Sequence, residues 1–268
     1  MIEFGMPTLI GTDTLEKNIA LAKELGLGFV ELNMNLPEYQ TACLESADFI
    51  AAARNAGIGF TIHLDENLNV ADFNPEVRNA WLETVIRTIR AAGRIGASVL
   101  NMHMNHGVYF TLPDKRIWLY GTHRDRYLRC IEMFRDACAR ETGGTDIRIC
   151  LENTDGFTDF EQEALALLLE SPVFGLTWDI GHSRAAGERD EPFLRAHEDR
   201  LVHFHVHDAA GAGNHMTLGT GGIDLEERLQ IAQRHGCRCV IETKTADALR
   251  DSVGWLNAHG YGSAREGI

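Results

Sequence analysis

The chain has 268 residues, enough for one large α/β domain with a substantial core. Its 39 acidic residues against 25 basic ones leave a net charge of −14, which opposes extended contact with a phosphate backbone but not with a neutral sugar or a divalent cation. No apolar run approaches a membrane span, and the opening MIEFGMPTLIG lacks a basic segment followed by a long apolar one, so the expectation is a cytoplasmic protein with no membrane or nucleic-acid partner.

Taken in order, the elements alternate strand and helix. IEFGMP reads as the first strand, and Asp13-x-x-Glu16 as the capping signal of a helix to Leu25. GFVEL follows, then a helix to about Ala56, then IGFTIH ending on His63. Asn74-Pro75 opens a helix with Val77, Trp81, Val85, Ile89 and Ala92 on one face. ASVLNMH ends on His103, and the longest irregular stretch runs from Met104 to about Gly121. A helix then reaches the Glu-Thr-Gly-Gly break at 141–144, before IRICLE ending on Glu152. A helix near 159–170 leads to FGLTWD, ending on Asp179, and one near 190–199 leads to LVHFH, ending on His205. Asp224-x-x-Glu227 caps the next helix, CRCVIE ends on Glu242, and residues 245–259 form the last helix.

Eight such units average about 33 residues, the size of a βαβ repeat, and nothing marks a linker or second domain. The expected fold is therefore α/β, a single (β/α)8 TIM barrel over 1–268, with its active site at the C-terminal ends of the strands. The six cysteines show no CxxC pair and read as small buried hydrophobes in a reducing compartment.

Six strands in a row finish on a side chain that can ligate a metal or move a proton. Buried carboxylates are costly unless paired or metal-bound. Glu152, Asp179, His205 and Glu242 would set three carboxylates and one imidazole around a divalent cation, a hard donor set suited to Mn²⁺, Mg²⁺, Co²⁺ or a catalytic Zn²⁺. His63 and His103 are placed to support a second cation with Glu152 bridging, or to orient substrate.

ICLEN at 149–153, WDIGH at 178–182, FHVHD at 204–208, the His215-x-x-Leu218-Gly219-x-Gly221 segment, VIETK at 240–244 and NMHMNHG at 101–107 together resemble the xylose-isomerase-like barrel superfamily. That superfamily includes endonuclease IV and the sugar isomerases and epimerases. The resemblance implies that Glu152, Asp179, His205 and Glu242 are the shared metal ligands. In the epimerase branch the two glutamates also act as acid and base. In the endonuclease branch His63 and His103 would join a second zinc, and His182 with His215 a third. That branch carries an Asp two residues before the His of the glycine-rich segment, where this chain has Gly213, so the third zinc loses a ligand unless Asp208 or a water substitutes.

The expected activity is thus a metal-dependent isomerisation or epimerisation of a small sugar or hydroxy-carbonyl compound through a cis-enediolate, with Glu152 and Glu242 as acid and base. The alternative is endonuclease IV-like, zinc-dependent cleavage at abasic sites in DNA. Glu31, at the end of the second strand, and Arg184 and Lys244, near the mouth, are candidates for substrate hydroxyls. Tyr109, Phe110 and Trp118 could wall a sugar site. His203 and His207 share a strand face with His205 and read as satisfied core histidines. A homo-oligomer is allowed.

Overall fold

The computed structural model describes residues 2–12 and 14–262. Eight strands close into a barrel in chain order: β1 (Glu3–Pro7), β2 (Phe29–Asn33), β3 (Gly59–His63), β4 (Val99–His103), β5 (Arg148–Glu152), β6 (Phe174–Asp179), β7 (Leu201–Val206) and β8 (Arg238–Ile241). Every neighbouring pair is parallel, and β8 returns to β1 through Glu3 opposite Arg238. The helices lie between the strands in sequence, as eight βα units require.

Alternation along each strand decides what the barrel presents. On β5, Ile149 and Leu151 join the apolar cluster, while Glu152 turns toward His63 and His205. On β7, Phe204 and Val206 belong to that cluster, and His203 and His205 point inward toward Glu31 of β2. A period of two therefore splits each strand into one apolar and one polar face.

Capping chemistry places the helices largely where the sequence puts them. Asn74 accepts from Glu76 N, Pro75 occupies the first turn, and Gly96 ends the helix Pro75–Ile95 at φ +77°. Its buried face starts at Val85, because Val77 is exposed and Trp81 only half-buried. Asp224 accepts from Glu227 N at the head of Leu225–His235. Asp13 lies outside the described residues, and Thr14 caps the helix Leu15–Glu24.

Two connections differ from expectation. The stretch after β2 breaks into the 3₁₀ turn Pro37–Tyr39, the short helix Thr41–Leu44 and the helix Ala47–Arg54, since Ser46 caps the last of these afresh. The long segment after β4 is ordered by its own hairpin, Tyr109–Thr111 against Arg116–Trp118, and by the short helix Leu119–Thr122. A second hairpin, Asp208–Ala210 against Gly213–Met216, rises from the end of β7.

Candidate metal centre

Four strand ends bring Glu152, Asp179, His205 and Glu242 together, with one donor atom from each within 4.8 Å of the others. Glu152 and Asp179 close β5 and β6, His205 is the penultimate residue of β7, and Glu242 follows the last residue of β8. His205 Nδ1 lies 3.1 Å from Glu152 Oε1, 3.0 Å from Glu242 Oε2 and 3.8 Å from Asp179 Oδ2. One nitrogen thus faces three carboxylates, all buried or nearly so.

Electrostatics at this point favours positive charge. Burial alone would raise the Glu152 and Glu242 carboxyls, yet the adjoining imidazoles, His205 foremost, hold both well below the usual carboxylate range. Burial alone would lower His205, but Glu152, Glu31 and Glu242 lift it well above the usual imidazole value. Glu242 Oε2 and His103 Nε2 are buried with no aligned hydrogen-bond partner. Three crowded carboxylates, an imidazole aimed at them and unsatisfied donor atoms fit a divalent cation bound through oxygen and nitrogen.

Around this cluster lies an arc of imidazoles. His63 Nε2 and His103 Nε2 each approach Glu152 Oε2 at 3.3 Å. Asn101 Nδ2 donates to the same oxygen. Burial would lower His63, but its contact with Glu152 raises it to about 9. On the other side, His182, His207 and His215 each offer a ring nitrogen within one small volume. The sequence reading brought His182 and His215 to the site but left His207 in the core.

A model of the xylose isomerase-like TIM barrel matches residues 19–259. The chain belongs to that family. Among curated relatives, an uncharacterized protein of Methanocaldococcus jannaschii is 25% identical over 203 residues, covering 70% of this chain and 64% of that protein. The chain therefore spans slightly less than two thirds of that relative's length. A probable endonuclease 4 of Mycobacterium ulcerans is 25% identical over 263 residues, 92% of this chain and 97% of that one. Among solved structures, a D-tagatose 3-epimerase-like protein superposes with a TM-score of 0.75 at 22% identity, covering 96% of this chain and 97% of that one. A Thermus thermophilus protein, TTHB071, soaked with ZnCl₂, gives 0.67 at 22% identity over all of both chains. These two likenesses establish the fold.

Within this xylose isomerase-like barrel, the remaining candidates separate clearly. The structure corrects the placement of Glu31. It sits in the middle of β2, is 1% exposed, and lies inside the barrel rather than at the mouth. Its oxygens are occupied by Thr61 Oγ1 at 3.0 Å, His203 Nε2 at 2.9 Å and, off the ideal hydrogen-bond axis, His205 Nε2 at 2.9 Å. In this position the carboxylate steadies the imidazoles beneath the cluster. Lys244 does reach the site, where Nζ lies 2.9 Å from Glu242 Oε1. Arg184 instead pairs with Glu188 at 3.0 Å, and the pair is half exposed.

Asp208 is not free to replace the missing ligand at Gly213. Its carboxylate accepts from the backbone N–H groups of Ala209, Gly219, Gly221 and Ile223 at 2.8–3.2 Å. The glycine-rich segment wraps that carboxylate closely: a Cβ at Gly221 would fall 2.3 Å from Asp208 Oδ1. Asn153 and Asp190 also went unnoticed in the sequence. Asn153 Oδ1 accepts from Asp179 N at 2.8 Å, and Asn153 Nδ2 donates to the buried Asp190 at 2.7 Å, which fixes the strand end that carries Asp179. Only the Asn in ICLEN gave a signal for them.

Beside Glu242 opens a cleft lined by Thr8, Asn33, Asn35, Glu66 and Lys244, with Leu9 and Leu36 as apolar walls. Short amide and hydroxyl side chains over an apolar floor suit a small polyhydroxylated molecule. Trp118 packs against His106, Tyr109 and Phe160, whereas Tyr109 and Phe110 face solvent. The hairpin that carries them is tied down by His106, which meets Asp155 at 2.8 Å and the buried Glu161 at 2.6 Å. Among the described residues no helix is long and apolar enough to cross a membrane.

Proposed function

We propose that this barrel is a divalent-metal-dependent isomerase or epimerase of a small sugar or other hydroxy-carbonyl compound. The observation that carries the reading is the convergence of Glu152, Asp179 and Glu242 on His205 Nδ1 at the strand ends. These four residues would hold the cation, taken from Mn²⁺, Co²⁺, Mg²⁺ or Zn²⁺. When bound, it supplies Lewis-acid stabilisation of the negative charge that develops on adjacent substrate oxygens.

The chain's own residues do the rest. Glu152 and Glu242 reach His205 Nδ1 from different strands, β5 and the end of β8, so they flank the centre. One takes the proton from the carbon beside the carbonyl, leaving an enediolate, and the other returns a proton to the neighbouring carbon or the opposite face. Both carboxyls are held well below their usual range, so each rests ionised and can take a proton, and the one that returns a proton must first have gained it from the substrate or from solvent. Lys244 beside Glu242 and the amides of Asn33 and Asn35 line the cleft and suit substrate hydroxyls.

Incubating the metal-loaded protein with unphosphorylated ketoses in heavy water tests the reading. Deuterium should enter the product at the reacting carbon, and chelation should stop turnover. No turnover across a broad ketose and keto-acid panel, with metal demonstrably bound, would count against it.

A second reading, zinc-dependent cleavage of abasic DNA, draws support from His63 and His103 at Glu152 Oε2, an arrangement that would suit a bridged second zinc. Gly213 and the commitment of Asp208 to backbone amides oppose a third, and the net charge opposes DNA. Incision of an abasic duplex at physiological salt, lost on chelation, would establish this reading instead.

A further inference from the structure

The cluster of His182, His207 and His215 resembles a second metal site, but the hydrogen bonds of His207 assign it another task. His207 is fully buried. Its Nδ1 accepts from the backbone N–H of His215 at 2.8 Å, a shorter contact than the 3.4 Å to the Asp208 carbonyl, and because a backbone amide only donates, the shorter contact requires a lone pair on that nitrogen. The proton therefore sits on Nε2, which straddles the Asp179 carboxylate at 2.9 Å to Oδ1 and 3.1 Å to Oδ2. Both ring nitrogens are spoken for, so neither is left to ligate.

Two further features show that the fold makes room for this ring. A Cβ on Gly181 would lie 1.9 Å from His207 Cε1, so the glycine of WDIGH is the space that the imidazole fills. His215 adopts φ +52°, a conformation uncommon outside glycine, and its N–H is the group that His207 holds. The ring stacks on His215 with centroids 4.3 Å apart.

We infer that His207 is a positioning residue that orients Asp179 toward the cation and couples it to the hairpin bearing His215. The inference rests on Asp179 being a metal ligand. It also implies a single cation on this side of the barrel, since the three imidazoles do not form a site of their own.

Two near-isosteric substitutions separate the two bonds. In His207→Gln the side-chain amide can reach the Nε2 position and still donate to Asp179, but nothing accepts from His215 N. In His207→Asn the carbonyl can stand at the Nδ1 position and accept from His215 N, but the donor to Asp179 is lost. Co²⁺ binding, followed by its absorption spectrum, and amide hydrogen exchange at His215 give readouts independent of turnover. His207→Asn should weaken Co²⁺ about 10- to 100-fold, the usual cost of losing a partner behind a metal ligand, with His215 exchange unchanged. His207→Gln should keep wild-type Co²⁺ affinity, while His215 exchanges about fivefold faster, as the loss of one hydrogen bond implies.

Unchanged affinity in both variants, with Asp179→Ala abolishing binding, would overturn the inference and leave the metal assignment standing. Full Co²⁺ binding by Asp179→Ala would remove the assignment itself. Loss of one whole equivalent out of two in His207→Asn would show that the three histidines are a metal site, and would also overturn it.

Discussion

The two sides of the barrel mouth hold ionisable groups at similar density and use them differently. Between β5 and β8, three carboxylates face one another and a single imidazole nitrogen, a concentration of negative charge that favours a cation. Beside them, His182, His207 and His215 face one another, yet burial drives His215 down to about 4, and His207 spends both nitrogens on neighbours. Clustering of potential ligands is therefore not enough to define a metal site. What distinguishes the two regions is carboxylate density: three carboxylates meet on one side, whereas on the other the His207 ring is held between the His215 amide and Asp179.

The sharpest way to break this contrast is to remove one ligand from each side. His205→Ala should abolish bound metal while leaving the far-ultraviolet circular dichroism intact, whereas His182→Ala should retain one metal per chain by elemental analysis. Equal losses in the two variants would erase the distinction.

Next in size is the effect on chemistry. If Glu242 is the base proposed above, Glu242→Gln preserves shape but removes it, and the rate of ketose turnover should fall about 100- to 10,000-fold. Saturating Mn²⁺ should not restore it, whereas a simple ligand defect would recover with added metal.

Packing on the imidazole side gives a smaller effect. Gly181→Ala forces a methyl group into the His207 ring, and overpacking of this kind costs about 1–3 kcal/mol. Denaturant unfolding should show that loss, and an unchanged midpoint would mean that His207 moves aside without strain. The smallest effect concerns pH. Asp155 and Glu161 raise His106 to about 10, above its unfolded value of 6.5. This partly solvent-screened anchor of the hairpin is fully present below 6.5 and is lost as pH rises through 10. Tryptophan fluorescence should report a transition in that window through Trp118, and His106→Gln should remove it.

The barrel was legible because each strand is short, apolar and followed by a helix with its own cap, so period and punctuation agreed. Glu152, Asp179, His205 and Glu242 were legible for a related reason: strand ends converge in this topology whatever the intervening sequence. Glu31 and His207 were not. Glu31 meets Thr61 beside it on β3 and His203 across the lumen on β7, contacts set by barrel register rather than by any local pattern. His207 looked like a core residue, and burial alone supports that reading. Its task depends on a glycine 26 positions earlier and a backbone amide eight positions later, and no periodicity announces either. The hairpin at 109–118 was missed because its strands are three residues each, too short to alternate visibly.

The grip of Asp208 on four backbone amides has a consequence for how this scaffold can be altered. It fixes both the base of the second hairpin and the glycine-rich segment, while the turn at Ala210–Asn214 projects into solvent. Chain added at that turn would lengthen an arm whose root is clamped, so insertions there should leave the strand ends below undisturbed. The hairpin tip can therefore vary in length and sequence while its clamped base stays as it is.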